Sequence, residues 1–256
     1  MKALWKKHRL LFLGLLALVC LLVLVAGWSA FQADPRTDSV YISDPTAVLF
    51  GSDGKKYIIA EGSTSILVLN EEDQYLRTLS GGQQSQGFYY AQSLAADEEG
   101  NLYISDKILG ENGKDIQSER IAVYDKNGGF VDYLYELPRE STQGDNRVRI
   151  QDLRWRDGKL WFVQIEQGGL RLCTLDKDTG EQTEAGVYPC EDAWRKVMYA
   201  AVSPEGTVYF TDKYGALYQA SEEGSHTLLY DPVASGEESS IASNLVCAAD
   251  GSIYFN

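Results

Sequence analysis

Five times along this 256-residue sequence an acidic residue and a glycine precede a short run of aromatic and β-branched residues. The pairs are Asp53-Gly54, Glu99-Gly100, Asp157-Gly158, Glu205-Gly206 and Asp250-Gly251, and the runs are KYIIA, LYISD, LWFVQ, VYFTD and IYFN. Successive glycines stand 46, 58, 48 and 45 residues apart. An acidic residue followed by glycine suits a hairpin turn, and Tyr, Ile, Val and Phe suit a pleated, half-buried strand. The fullest unit, Gln92 to Leu137, carries four such strands: Ser93–Ala96, Asn101–Ser105, Arg120–Tyr124 and Phe130–Tyr135. A four-stranded antiparallel meander repeated every roughly 40–50 residues predicts an all-β fold, a β-propeller with four complete blades and a fifth begun.

The repeat also carries a resemblance. Gly100-Asn101-Leu102-Tyr103-Ile104-Ser105-Asp106, followed by Arg120-Ile121-Ala122-Val123-Tyr124-Asp125-Lys126-Asn127-Gly128, resembles the two halves of the NHL repeat. Thr207–Asp212 matches the first half, while Ala60 and Gln164 replace the Asp in blades one and three. The likeness covers about residues 44–256 and extends to the SMP-30 gluconolactonase-like propellers. It implies architecture rather than activity, because propellers host many unrelated functions.

Before the repeats, Leu10 to Trp28 is nineteen residues without a charge, preceded by KKHR and followed by DPRTD. At about 1.5 Å per residue such a helix reaches ~28 Å, close to the hydrocarbon thickness of a bilayer. This predicts a single-pass transmembrane signal-anchor helix, with the basic tail 1–9 cytoplasmic and the propeller extracytoplasmic. The apolar core is longer than that of a cleaved signal peptide, and Val19 before Cys20 does not suit lipoprotein processing. Residues 29–43 read as a linker, with Val40–Ile42 a strand candidate that closes the ring. The blades are expected at about 45–81, 92–137, 150–189 and 199–231, with a partial fifth at 241–256. Because the sequence stops inside a repeat, it predicts the front part of a longer protein.

Charge and rare residues exclude several functions. Beyond residue 9 the chain has 19 basic and 37 acidic residues, a net charge of −18. That surface repels phosphate backbones, so no nucleic-acid partner is expected. The chain has only two histidines, His8 in the basic tail and His226 at the start of an outer strand, which reads as a surface residue. A Ser-His-Asp triad or a histidine-based zinc site would rest on His226 alone. Cys173 and Cys190 fall in neighbouring strands, where they are either buried thiols or a pair. Asp176–Glu181 looks like the start of an EF-hand loop but has Val187 at the twelfth position, so it reads as a hairpin turn.

The turns joining strands one to two and three to four are tight and share one face. The opposite face receives the long connections Gly81–Tyr90, Lys107–Ser118, Pro138–Val148, Cys190–Met198 and Pro232–Ser243. Long loops on a rigid scaffold carry function, so this loop face is the expected binding surface. Its candidates are Tyr89, Tyr90, Glu111, Asp115, Asp145, Asp192 and Trp194, with Phe88, Glu237 and Glu238 beside them. Exposed aromatics among carboxylates suit a sugar, a cationic peptide or a protein partner. No cofactor is expected on this reading. The gluconolactonase-like resemblance implies an alternative: a metal-dependent lactonase-type hydrolase holding Ca²⁺ or another divalent cation at the channel mouth. Aligning repeats on their turn glycines sets Gln151 with Ser93, Tyr199 and Asn244, and Asp152 with Leu94 and Ala200; Asp152 and Asn244 are then the candidate ligands. The family's Glu-Gly-Pro opening is absent, since Glu61-Gly62 follows a second strand, and no glycine follows Asn244.

Overall fold

The computed structural model describes residues 42–82, 86–110, 116–137, 148–236 and 244–255. Among them are eighteen strands. Blade one comprises β1 Ala47–Phe50, β2 Lys56–Ala60, β3 Ser65–Leu69 and β4 Tyr75–Ser80. Blade two comprises β5 Ala91–Ala96, β6 Leu102–Leu109, β7 Ile116–Tyr124 and β8 Phe130–Glu136. Blade three comprises β9 Arg149–Arg156, β10 Lys159–Glu166, β11 Gly169–Leu175 and β12 Gln182–Pro189. Blade four comprises β13 Val197–Val202, β14 Val208–Asp212, β15 Leu217–Gln219 and β16 Thr227–Tyr230. A fifth sheet pairs β17 Leu245–Cys247 with β18 Ile253–Phe255. Each sheet is a simple antiparallel meander, in a propeller arrangement with the first strands of successive blades adjoining in chain order.

Alternation within each strand explains the stacking. Tyr57, Ile59, Ile66 and Val68 of blade one close against Leu94, Leu102 and Ile104 of blade two. Tyr103 and Ile121 of blade two meet Leu153, Leu160, Phe162 and Leu175 of blade three. Val163, Leu170 and Leu172 then meet Ala200, Val208 and Phe210, and Ala201 and Leu217 meet Leu245 and Cys247. Most interior strands are therefore largely buried on both faces, and the core is a series of inter-blade layers rather than one centre.

Polar side chains join the innermost strands where no backbone ladder does. The Leu153 N–H donates to Ser93 Oγ at 3.2 Å, and Ser93 Oγ in turn meets Ser105 Oγ at 2.9 Å. Gln151 donates to the Met198 carbonyl at 3.2 Å and accepts the Ala200 N–H at 2.8 Å. Arg149 donates to the Val197 carbonyl at 2.6 Å, and Asp152 Oδ2 accepts the Val202 N–H at 2.6 Å. These bonds satisfy inner-edge backbone groups that would otherwise be stranded between blades.

Register corrects the alignment made on turn glycines. In blades one, two, four and five the first hairpin closes with the same pair of loop hydrogen bonds, as in Asp97 N–H to Asn101 O and Gly100 N–H to Asp97 O. Blade three instead turns through Asp157 and Gly158 alone, both at positive φ (52° and 74°), with Lys159 opposite Arg156. That hairpin is one residue shorter. The lost residue is restored by a β-bulge between Trp161 and Val163, across from which Asp152 sits at φ 51°. Gln151 thereby faces Val163 as Ser93 faces Ser105 and Tyr199 faces Thr211. Asp152 is thus an inserted bulge residue, and not the counterpart of Leu94 and Ala200.

Other expectations also shift. The Lys107–Ser118 loop is shorter than its sequence suggests, because β6 continues to Leu109 and β7 begins at Ile116. The Cys190–Met198 connection contains a short helix, α1, Ala193–Lys196. Cys173 and Cys190 are both free: Cys173 pairs with Glu184 across the ladder, whereas Cys190 lies beside Gly168 at the far end of β11. His226 is half-buried rather than a surface residue, edge-on to Phe210 at 5.0 Å, and its Nδ1 accepts the Ser221 N–H. Asp176 does cap a hairpin turn, accepting the Asp178 and Thr179 N–H groups. No helix among the described residues is long and apolar enough to cross a membrane. Residues 10–28, Val40 and Tyr41 lie outside the described residues, and Ile42 is in no strand.

Candidate functional site

The segment Gly87–Tyr90 links blade one to blade two on the loop face, and the cross-strand pair Asp106 and Arg120 grips it. Asp106 Oδ1 accepts the N–H groups of Tyr89 and Tyr90 at 2.5 and 2.8 Å. Its Oδ2 accepts Arg120 Nε at 2.7 Å, and the carboxylate is wholly buried. Arg120 also donates to the Gly87 carbonyl at 2.7 Å, an acceptor shared with the Tyr133 hydroxyl. The guanidinium carbon lies 3.8 Å from the centre of the Tyr133 ring. Burial raises the Asp106 pKa, and the hydrogen bonds from Arg120, Tyr89 and Tyr90 work against that rise. Gly87 sits at φ +127°, and a Cβ there would fall 1.9 Å from Tyr124 Oη. The segment thus has one backbone path.

On this base Tyr89 and Tyr90 are half-buried, their rings edge-to-face with centroids 4.7 Å apart. Phe88 is not an exposed partner, as sequence reasoning had it. It is fully buried between blades one and two, edge-on to Tyr124. Alternation within a loop is not readable from sequence, so which of three consecutive aromatics turns inward was open.

Beside the tyrosines, the Lys107 N–H donates to the Tyr90 carbonyl. Lys107 stands across the ladder from Glu119, whose Oε2 accepts the Ile150 N–H of blade three at 2.6 Å. Glu119 is 5 % exposed, and burial pushes its carboxyl up to about 7 against the pull of Ile150, Lys107 and Arg149. Burial likewise lowers the Arg149 pKa. Sequence reasoning missed Asp106, Arg120 and Glu119 as parts of this face. The first two were visible only as repeat signature, and Glu119 fell between the loop read to Ser118 and the strand read from Arg120.

The remaining candidates separate. Asp192 precedes α1 in a left-handed conformation, φ 55°, and its side chain makes no capping bond; Trp194 falls within α1. Glu111, Asp115, Asp145, Glu237 and Glu238 lie outside the described residues. Asp152 Oδ2 accepts both the Val202 N–H and Arg154 Nε, the latter at 2.9 Å. Burial raises its pKa, and Arg154 opposes the rise. Asn244 Oδ1 accepts the N–H of the next residue, Leu245. β13 lies between β9, which carries Asp152, and β17, which Asn244 precedes. Asp152 Oδ2 already accepts two hydrogen bonds, and a cation there would compete with the Arg154 guanidinium, so this pair fits a divalent ion poorly. No group of three His, Cys, Asp or Glu side chains suited to a metal occurs among the described residues.

No family model matches the sequence, and no curated protein matches it. Solved β-propellers do. A nidogen/laminin complex superposes with a TM-score of 0.52 at 12% identity, covering 82% of this chain and 71% of that chain. A catalytically inactive virginiamycin B lyase from Staphylococcus aureus with quinupristin gives 0.50 at 16% identity, covering 85% of this chain and 64% of that one. A protein of unknown function from Bacteroides thetaiotaomicron gives 0.52 at 11% identity, covering 84% and 52%. At these identities the likeness is one of fold. The chain spans less than two thirds of the length of the lyases it matches.

Proposed function

We propose that this propeller is a binding module, a sensor or scaffold displayed outside the cell on the Leu10–Trp28 anchor, and that it takes its ligand or protein partner on the loop face. The observation that carries this reading is the contrast between two sets of side chains. Polar groups on the innermost strands are spent on inter-blade hydrogen bonds, Gln151 and Asp152 among them. Tyr89 and Tyr90 keep half-exposed rings on a segment whose backbone is held by a buried ion pair. Rigid aromatics with little entropy left to lose favour binding. The basic flank of the anchor favours an extracytoplasmic location.

The NHL and SMP-30 resemblance belongs to this proposal too, resting on Gly100–Asp106 and Arg120–Gly128. A metal-dependent hydrolase is the second reading, and in it a cation would compete with Arg154 for Asp152. One experiment separates the two. Thermal unfolding of the full chain is followed with and without Ca²⁺ or Mn²⁺, for the wild type and Asp152→Ala. The binding-module reading expects the same melting temperature with and without metal. A metal-induced rise that Asp152→Ala removes would turn the assignment to the hydrolase. Protease accessibility of the propeller in intact cells tests the location: protection until the membrane is opened would refute an extracytoplasmic propeller.

A further inference from the structure

His226 closes the turn between the two outer strands of blade four, and it does so as an acceptor. Its Nδ1 takes the Ser221 N–H at 3.2 Å, so the proton of the neutral ring sits on Nε2. Nε2 is buried and completes no hydrogen bond among the described residues, although the Pro189 carbonyl of β12 favours a proton there. The ring packs on Phe210 at 5.0 Å, and Phe210 belongs to the layer between blades three and four with Tyr188, Tyr218 and Ala220. Gly224 of the same turn also lies against blade three, since a Cβ there would stand 3.4 Å from the Pro189 carbonyl oxygen.

The hairpin closed in this way has the shortest outer pairing of the four complete blades. β15 and β16 pair at three positions, against five for β3 with β4, five for β7 with β8 and seven for β11 with β12. Thr227, Leu228 and Leu229 of β16 are exposed. Proton uptake at Nδ1 sets two N–H groups against each other and places an imidazolium beside an apolar layer. Burial lowers the His226 pKa from its ordinary 6.5, so an open hairpin takes the proton before a closed one does. Closure is therefore favoured at neutral pH and is lost as pH falls below 6.5 and through the lower value of the closed form. The carboxylates of the same turn, Glu222 and Glu223, are exposed. Tyr188 of β12, Cys190 just beyond it and Tyr218 of β15 have their pKa values raised by burial and stay uncharged across this range, and Asp192 and Lys196 act on Cys190. β14 presents the uncharged Phe210.

We infer that His226 is an acid latch: on taking up a proton at Nδ1 it releases the Ser221–His226 turn and β16 from blade three, while the inner strands of blade four stay in place. The opened form bares Phe210 and Ala220 and leaves one edge of β15 unpaired. The latch does not depend on the loop-face reading above.

The test uses the full chain in detergent micelles, with nitrogen-15 histidine and His8→Gln so that His226 alone is observed. The ring nitrogen shifts should show a neutral ring protonated on Nε2 that titrates below 6.5. A neutral ring protonated on Nδ1, or titration at or above 6.5, overturns the latch. Amide hydrogen exchange, corrected for the intrinsic effect of pH, is then compared at pH 7 and pH 5. Protection across β15 and β16 is expected to fall about tenfold or more at pH 5, while Ala200 and Ala201 of β13 keep theirs. His226→Asn keeps an acceptor for Ser221 but takes up no proton, and its protection should not change between the two conditions. Unchanged protection in the wild type, an equal loss in the Asn variant, or an equal loss across β13 each overturns the latch. If the Asn variant fails to fold, the wild type decides: the midpoint of opening must follow the His226 titration, and a midpoint apart from it refutes the assignment.

Discussion

Glu119 makes the folded state of this protein sensitive to pH near neutrality, and the sign can be worked out. Its carboxyl is buried between blades two and three, accepts one N–H from Ile150, and lies near Lys107, Arg149 and Asp106. Burial dominates and lifts the group from 4.5 to about 7. Between those values the folded chain holds a proton that the unfolded chain has released. Stability from this site is therefore fully present below about pH 4.5 and is lost as pH rises through about 7. At about 1.4 kcal/mol per pH unit, the ceiling on that loss is about 3 kcal/mol. Glu119→Gln keeps the size and an oxygen acceptor for Ile150 but cannot ionise. Urea unfolding of both forms, followed by tryptophan fluorescence from pH 5 to pH 8, isolates the effect, because other titrating groups cancel in the difference. The Gln form's lead should be about 1 kcal/mol or less at pH 5 and should grow by about 1–3 kcal/mol by pH 8. A difference that stays constant with pH, or a wild type that gains on the variant as pH rises, would refute the reasoning.

Gly87→Ala should be among the most damaging changes on the loop face. It sets a Cβ against Tyr124 Oη at positive φ, so a loss of about 2 kcal/mol or more in unfolding free energy is expected by denaturant titration. Asp152→Ala removes the acceptor for the Val202 N–H and leaves Arg154 unpaired, and a cost of about 1–3 kcal/mol should appear in the same assay. The cysteines should separate by reactivity: Cys173 is buried, with its thiol pushed up to about 11 by burial, whereas Cys190 is half-buried. Mass-mapped alkylation under native conditions should modify Cys190 well before Cys173. The two should carry no bond to each other without reductant, because their places along β11 and β12 hold them apart.

The strands and their order were legible in the sequence because both depend on neighbours close in the chain. Alternating Tyr, Ile and Leu around each Asp/Glu-Gly turn states where a hairpin lies, and five returns of that pattern state that blades repeat. What Asp106, Asp152 and Phe88 do was not legible in the same way. Asp106 reads as repeat signature, yet its partners are backbone amides sixteen and seventeen residues earlier, brought back by the turn into β5. Asp152 aligns with Leu94 on glycines, but a shorter hairpin and a compensating bulge point it at blade four, where it meets a backbone fifty residues away.

By itself, then, the sequence determined an all-β repeat architecture and its turn chemistry, since hairpins are encoded by residues a few positions apart. Only the tertiary structure decided which acids are clamps, which aromatic turns inward and which pair keeps its rings toward solvent. Those outcomes depend on inter-blade packing, where a one-residue change of register moves a side chain to another face and exchanges every partner it has.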